Sequence, residues 1–225
     1  MIFCKTAREK EVLLAFYWKS VYPISCRIYP AVSRDILTLK NTRRKLNMST
    51  SKKVRFLALS AVIAALYAVL TYVAAALNLA YGAVQFRFSE ALTVLPVFTP
   101  AAIPGLALGC LIANLGSPLG IVDWVFGTGA TLIAAVGTWI VGKVRVKGVP
   151  VLAPLPPVIA NVVIVGFELA CLSEAGTFGF GNFTWAAFGA SALSVGIGEL
   201  VVCYVLGIPL ILALQRTKAM DKLTA

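Results

Sequence analysis

From Phe56 to Ala80 the chain carries no charged side chain: FLALSAVIAALYAVLTYVAAALNLA. A helix of about 20 apolar residues crosses the roughly 30 Å hydrocarbon core of a bilayer. In lipid the backbone must satisfy its own hydrogen bonds, which a helix does internally. Further apolar blocks follow at Ser89–Phe98, Ala101–Leu115, Ile121–Gly142, Val149–Leu172 and Phe183–Leu214. With 60% hydrophobic and 13% charged residues and a mean hydropathy of +0.89, the chain lies far from soluble domains, which carry about 45–50% and about 25%. The expected fold is all-α and integral to the membrane, with six transmembrane helices.

Some chemistries are excluded at once. The chain has no histidine, so His acid–base catalysis and HExxH zinc sites are absent. Its five cysteines, Cys4, Cys26, Cys110, Cys171 and Cys203, never form a CxxC pair, and three lie in apolar runs, where a buried thiol is the expected state. GTWIVGK (137–143) imitates a phosphate-binding loop, but Val144 stands where Ser or Thr would hold magnesium, and the run sits inside an apolar helix. ATP hydrolysis by that route is ruled out, and no cofactor or metal is expected.

The net charge of +11 is concentrated at one end. Residues 1–55 hold 13 Lys/Arg and 3 Asp/Glu, and the remainder holds 7 and 6. The basic pI therefore describes a terminus and not a nucleic-acid-binding face. VLLAFYWKSVY (12–22) is too short to span and contains Lys19, and no small-residue cleavage site follows it. At Met48 the character changes to MSTSKKVRF and then to the apolar run. We expect translation to start at Met48, with 1–47 an upstream extension or a disordered basic segment and 48–225 the membrane domain.

The first span carries small residues at Ala61 and Ala65 and again at Ala64 and Ala68. This spacing lets a neighbouring helix approach closely. Packing within the chain and docking of another subunit are both open readings. Gly105 and Gly109 repeat the pattern in the third apolar block.

The basic groups 52–55, 143–147 and 216–222 fall on one side only if the spans number six, and the positive-inside rule makes that side cytoplasmic. Both termini are then cytoplasmic, while 78–87, 116–120 and the Gly-rich loop 173–182 face outward. This parity gathers Gln85, Arg87, Glu90, Asn114, Asp123 and Glu168 toward the outer side, with Asn161 deeper and Glu199 near mid-membrane. Ionisable groups in spanning segments are costly and face a cavity or a partner. Glu90, Asp123, Glu168 and Glu199 outnumber Arg87, so pairing within the chain cannot neutralise them all. For Asp123 an ion pair or solvation is the simpler reading. For Glu90, Glu168 and Glu199 the surplus of acceptors suits a ligand rich in N–H donors, cationic or guanidine-like. Phe86, Phe88, Trp124, Phe178, Phe180, Phe183 and Trp185 suit either stacking on a planar ring or the aromatic belt of a membrane protein.

The blocks VQFRFSEALTVLPVFTPAAIPGLALGCLIANL, GIVDWVFGTGATLIAA, PLPPVIANVVIVGFELA and SALSVGIGELVVCYVLGIPL resemble the QueT family from about Lys53 to Leu214. QueT proteins are substrate-binding (S) components of energy-coupling-factor (ECF) transporters for queuosine precursors. The resemblance implies a six-helix S-component fold that captures a 7-deazaguanine, such as 7-aminomethyl-7-deazaguanine, from outside the cell. It implies as partners a transmembrane coupling subunit and two ATP-binding subunits, with no enzymatic activity in this chain. Docking would fall to Ala61/Ala65 or Ala64/Ala68. Glu90 and Glu168 are the expected ligand acceptors, assisted by Asn161 and Gln85, with Arg87, Gln85 or Asn114 facing O6 and Glu199 either a contact or structural. An S component for a different vitamin-like molecule is the alternative. A membrane enzyme with paired carboxylates lacks supporting motifs, and a scaffold would show loss of stability alone when Glu90 or Glu168 is changed.

Overall fold

Helices make up the structure because nearly every segment is too apolar to leave its backbone to water. The computed structural model describes residues 29–80, 86–146, 148–173 and 176–217, with side chains from Thr50 onward. Two units are distinguished, residues 1–53 and 54–225, and the second holds the site discussed below. The helices are α1 (Tyr29–Ala76), α2 (Ala102–Asn114), α3 (Ile121–Val141), α4 (Leu155–Ala170), α5 (Trp185–Leu200) and α6 (Gly207–Thr217). A 3₁₀ segment, Phe88–Val97, lies between α1 and α2, and a π-helical turn, Val201–Leu206, joins α5 to α6. Met48, the expected domain boundary, falls inside α1.

Three stretches are long and apolar enough to cross a membrane: Thr50–Ala76, Ile121–Val141 and the continuous run Trp185–Thr217. Phe88–Val97, Ala102–Asn114 and Leu155–Ala170 are shorter apolar helices. The fourth is shorter than the apolar block 149–172 suggests because prolines crowd its start. Residues 151–154 form turns, Pro154 caps the helix, and Pro156 and Pro157 sit in its first turn, where a missing N–H breaks no helical bond.

The 3₁₀ segment is the central element. It packs against α2, α3, the π turn and α6, and Ser89 through Pro96 are all buried. Pro96 cannot donate to an i−4 carbonyl, and the tighter 3₁₀ turn places residues three apart in one row. Three rows result. Ser89, Leu92 and Leu95 face α1: Ser89 Oγ accepts from Thr71 Oγ1 at 2.7 Å, and both leucines join the cluster that holds Ile63, Tyr67 and Leu106. Val94 packs with Ile211 of α6. Arg87, just before the segment, heads the third row, followed by Glu90 and Thr93.

The seam between α1 and α2 is glycine-limited. A Cβ on Gly105 would lie 2.7 Å from the Ser60 carbonyl oxygen, and one on Gly109 would lie 2.7 Å from Tyr67 Cβ and 2.8 Å from the Ala64 carbonyl oxygen. Ser60 Oγ also donates to the Ala101 carbonyl at 2.8 Å. Ala64 and Ala68 are buried, whereas Ala61 and Ala65 lie on the exposed face of α1. The two alanine pairs therefore differ in environment, with Ala64 at the seam.

Candidate functional site

Arg87, Glu90, Asn114, Asp123, Asn161, Glu168 and Glu199 are all buried, although they come from the 3₁₀ row and from α2, α3, α4 and α5. Gln85 lies outside the described residues. Local structure explains each placement. The 3₁₀ pitch aligns Arg87 and Glu90, and Thr93 one turn on donates its hydroxyl to the Glu90 carbonyl. Asn114 ends α2, donating from Nδ2 to the Asp123 carbonyl at 2.9 Å and accepting Trp124 Nε1 on its own carbonyl at 2.8 Å. Gly127 makes this possible, because a Cβ there would lie 2.6 Å from Asn114 Nδ2 and 2.7 Å from Asp123 Oδ1. Glu168 sits in the last turn of α4, with Asn161 two turns earlier.

The charges are unevenly matched. Arg87 Nη2 lies 3.5 Å from Asp123 Oδ2, an ion pair that agrees with the simpler reading of Asp123. Glu90 Oε1 accepts the Tyr67 hydroxyl, while its Oε2 has no hydrogen-bond partner. Cys203, in the π turn, donates its thiol to Glu199 Oε2 at 3.3 Å and approaches the Glu90 carbonyl at 3.7 Å. Asn161 stands beside both Glu90 and Glu199. Glu168 differs from the rest: it is wholly buried, and neither carboxylate oxygen has a hydrogen-bond partner. Asn114 Oδ1 is likewise unpartnered.

An orphaned buried polar atom costs about 1–3 kcal/mol, and more for a charged group. Native structures keep few of them, so each points to a missing partner. Here the unpartnered carboxylate and amide oxygens are all hydrogen-bond acceptors, so the complement is a molecule that presents donors. Four carboxylates around one guanidinium favour positive charge in that molecule. Among the described residues no cluster of His, Cys, Asp and Glu has the geometry of a metal site.

Three contributors were missed in the sequence. Tyr67 and Cys203 read as apolar-run residues, yet each gives its polar hydrogen to a site carboxylate. A buried Tyr usually finds such a partner, and that habit was the available signal. Thr93 was legible only through the three-residue period of a 3₁₀ helix. The aromatics fall into two groups. Phe178, Phe180, Phe183 and Trp185 cluster with Phe126, Phe167 and Phe188, for instance Phe126–Phe178 at 5.7 Å and Phe167–Phe183 at 5.5 Å between ring centres. Of these, Phe126, Phe167, Phe183, Trp185 and Phe188 line, with Ile164, an apolar recess of about 480 Å³. Trp124 instead braces the end of α2.

Residues 57–216 match the protein family described as QueT transporter. A curated relative, the queuosine precursor transporter QueT of Lactococcus lactis subsp. cremoris, is 37% identical over 73 residues, which is 32% of this chain and 43% of the relative. The matched region therefore spans less than half of that relative's length. No solved structure matches the chain.

Proposed function

The chain belongs to the QueT transporter family, a family of transporters and not of enzymes, and from that premise we propose that it captures a queuosine precursor for import. The ligand in this reading is a 7-deazaguanine such as 7-aminomethyl-7-deazaguanine, taken up from outside the cell. The observation that carries it is Glu168, buried with both oxygens unpartnered. A deazaguanine offers N1–H and a 2-amino group side by side, and a free carboxylate accepts such a pair of parallel bonds. Burial keeps water from competing, so those bonds hold more of their intrinsic strength.

In the same reading the chain is an S component that crosses the plasma membrane six times, with the three shorter apolar helices completing the count and both termini in the cytoplasm. Energy comes from partners: a transmembrane coupling subunit and two ATP-binding subunits. The exposed alanines Ala61 and Ala65 are the docking face that remains once Ala64 and Ala68 are buried within the chain.

Calorimetric titration of the purified protein with 7-deazaguanines, guanine and riboflavin tests the reading. Saturable binding of deazaguanines, with riboflavin silent, is the expected result. Binding of riboflavin or another vitamin in their place would transfer the chain to the alternative, an S component of different specificity.

A further inference from the structure

We propose that the site has two poles, and that the Glu90–Glu199 pole selects a positively charged substituent on the base. This deepens the capture reading above and rests on it.

The carboxylates fall into two pairs that share one guanidinium. Glu168 has Asp123 and Arg87 as its charged neighbours, whereas Glu199 has Glu90 and Arg87. The poles also differ in what their oxygens can still accept. At Glu168 both oxygens are open, which suits a planar edge with two parallel N–H donors. At the other pole each carboxylate has one oxygen already committed, Glu90 Oε1 to the Tyr67 hydroxyl and Glu199 Oε2 to the Cys203 thiol. Two carboxylates that converge with partial capacity, beside the Asn161 amide, do not match a planar edge. They match an ammonium group, whose three N–H bonds point in tetrahedral directions toward separate acceptors.

The order of groups agrees with the ligand. Around a 7-deazaguanine one meets the 2-amino group, N1–H, the O6 acceptor and then the C7 substituent. Arg87 is the charged neighbour that Glu168 and Glu199 have in common, which suits an order of Glu168 carboxylate, Arg87 guanidinium and then the Glu90–Glu199 pair. Donors face acceptors, O6 faces the guanidinium, and an aminomethyl cation reaches the paired carboxylates. Charge argues the same way. A buried pair of acidic groups needs a cation or protons to remain, and a neutral substituent supplies no charge. Selectivity then arises as much from penalising the neutral congener as from attracting the amine.

The test titrates the full chain in detergent with 7-aminomethyl-7-deazaguanine, 7-cyano-7-deazaguanine and unsubstituted 7-deazaguanine. The amine should bind at least about tenfold more tightly than either neutral base, the scale of one charged hydrogen bond. Glu199→Gln, which keeps an oxygen for the Cys203 thiol, should erase most of that advantage and leave the neutral bases within about twofold of their original affinity. Glu90→Gln provides a second variant with the same expectation. Glu168→Gln should instead weaken all three bases together. Equal affinity for charged and neutral bases would overturn the two-pole assignment and leave the capture reading standing. A uniform loss in Glu199→Gln would likewise overturn it, by making Glu199 structural. Failure of all three bases to bind wild-type protein would remove both.

Discussion

The seam between α1 and α2 and the polar site, which Tyr67 and Asn114 of those two helices also reach, are built on opposite principles. At the seam, Gly105 and Gly109 leave no room for a methyl group, and Ser60 Oγ is bonded to the Ala101 carbonyl at the start of α2. At the site, Glu90, Asn114 and Glu168 are equally buried yet keep acceptors open. Close packing is what stability requires. Open buried acceptors reduce stability and are retained where something else completes them, so the two regions should answer mutation in different measurements.

The sharpest contrast comes from Gly109→Leu. Its Cβ alone would press on Tyr67 Cβ and on the Ala64 carbonyl, a backbone atom with nowhere to go. We expect about 3 kcal/mol of destabilisation, at the upper end of typical overpacking costs, read as a lower melting temperature in detergent. A variant as stable as wild type would mean that the seam is looser than its distances imply.

Glu168→Ala is the opposite case. Ligand affinity should fall by about 2–3 kcal/mol, the loss of a charged, buried acceptor. The melting temperature of the ligand-free protein should hold or rise, because an unpartnered buried carboxylate is removed. Calorimetry and thermal unfolding on the same preparation read both. Unfolding of the variant together with loss of binding would make Glu168 part of the framework and blur the distinction.

Tyr67 belongs to both regions, since its Cβ abuts Gly109 and its hydroxyl donates to Glu90. Tyr67→Phe keeps the ring in the seam and removes only the donor. About 1 kcal/mol should be lost from ligand affinity, with the seam's contribution to stability retained. A larger loss of stability than of affinity would show that the hydroxyl serves packing first.

How much of this was legible beforehand follows from the kind of signal involved. Apolar run length gave the helical class, and the charge surplus of Glu90, Asp123, Glu168 and Glu199 over Arg87 marked the residues that the fold buries together. Helical state within the runs was less visible. Phe88–Val97 reads as ordinary helix in sequence, and nothing in its apolar run marks the 3₁₀ geometry with which it packs against α2, α3, the π turn and α6. α4 starts at Leu155, later than the apolar run from Val149 predicts, because Pro150 and Pro154 lie in a stretch that hydropathy cannot divide. Tyr67 and Cys203 are silent in the sequence because an apolar-run residue reveals a polar role only in contact with its partner, Glu90 lying 23 positions from Tyr67 and Glu199 one helical turn before Cys203.

The smallest effect on the isolated protein is expected at the alanines of α1. Ala61 and Ala65 share the exposed face with Val62, Leu66 and Val69, whereas Ala64 is buried where Gly109 crosses. Ala65→Leu should change melting temperature and ligand affinity little, within about 0.5 kcal/mol, as for surface positions that make no special contact. Ala64→Leu should behave like the seam and destabilise. If Ala65 belongs to the docking face, its leucine variant should bind ligand normally yet fail to co-purify with the coupling subunit, because close helix approach depends on small side chains. Normal co-purification of Ala65→Leu and of Ala61→Leu would remove the exposed face of α1 from the interface. The comparison would then stand between two regions only, one that holds the fold and one that holds the ligand.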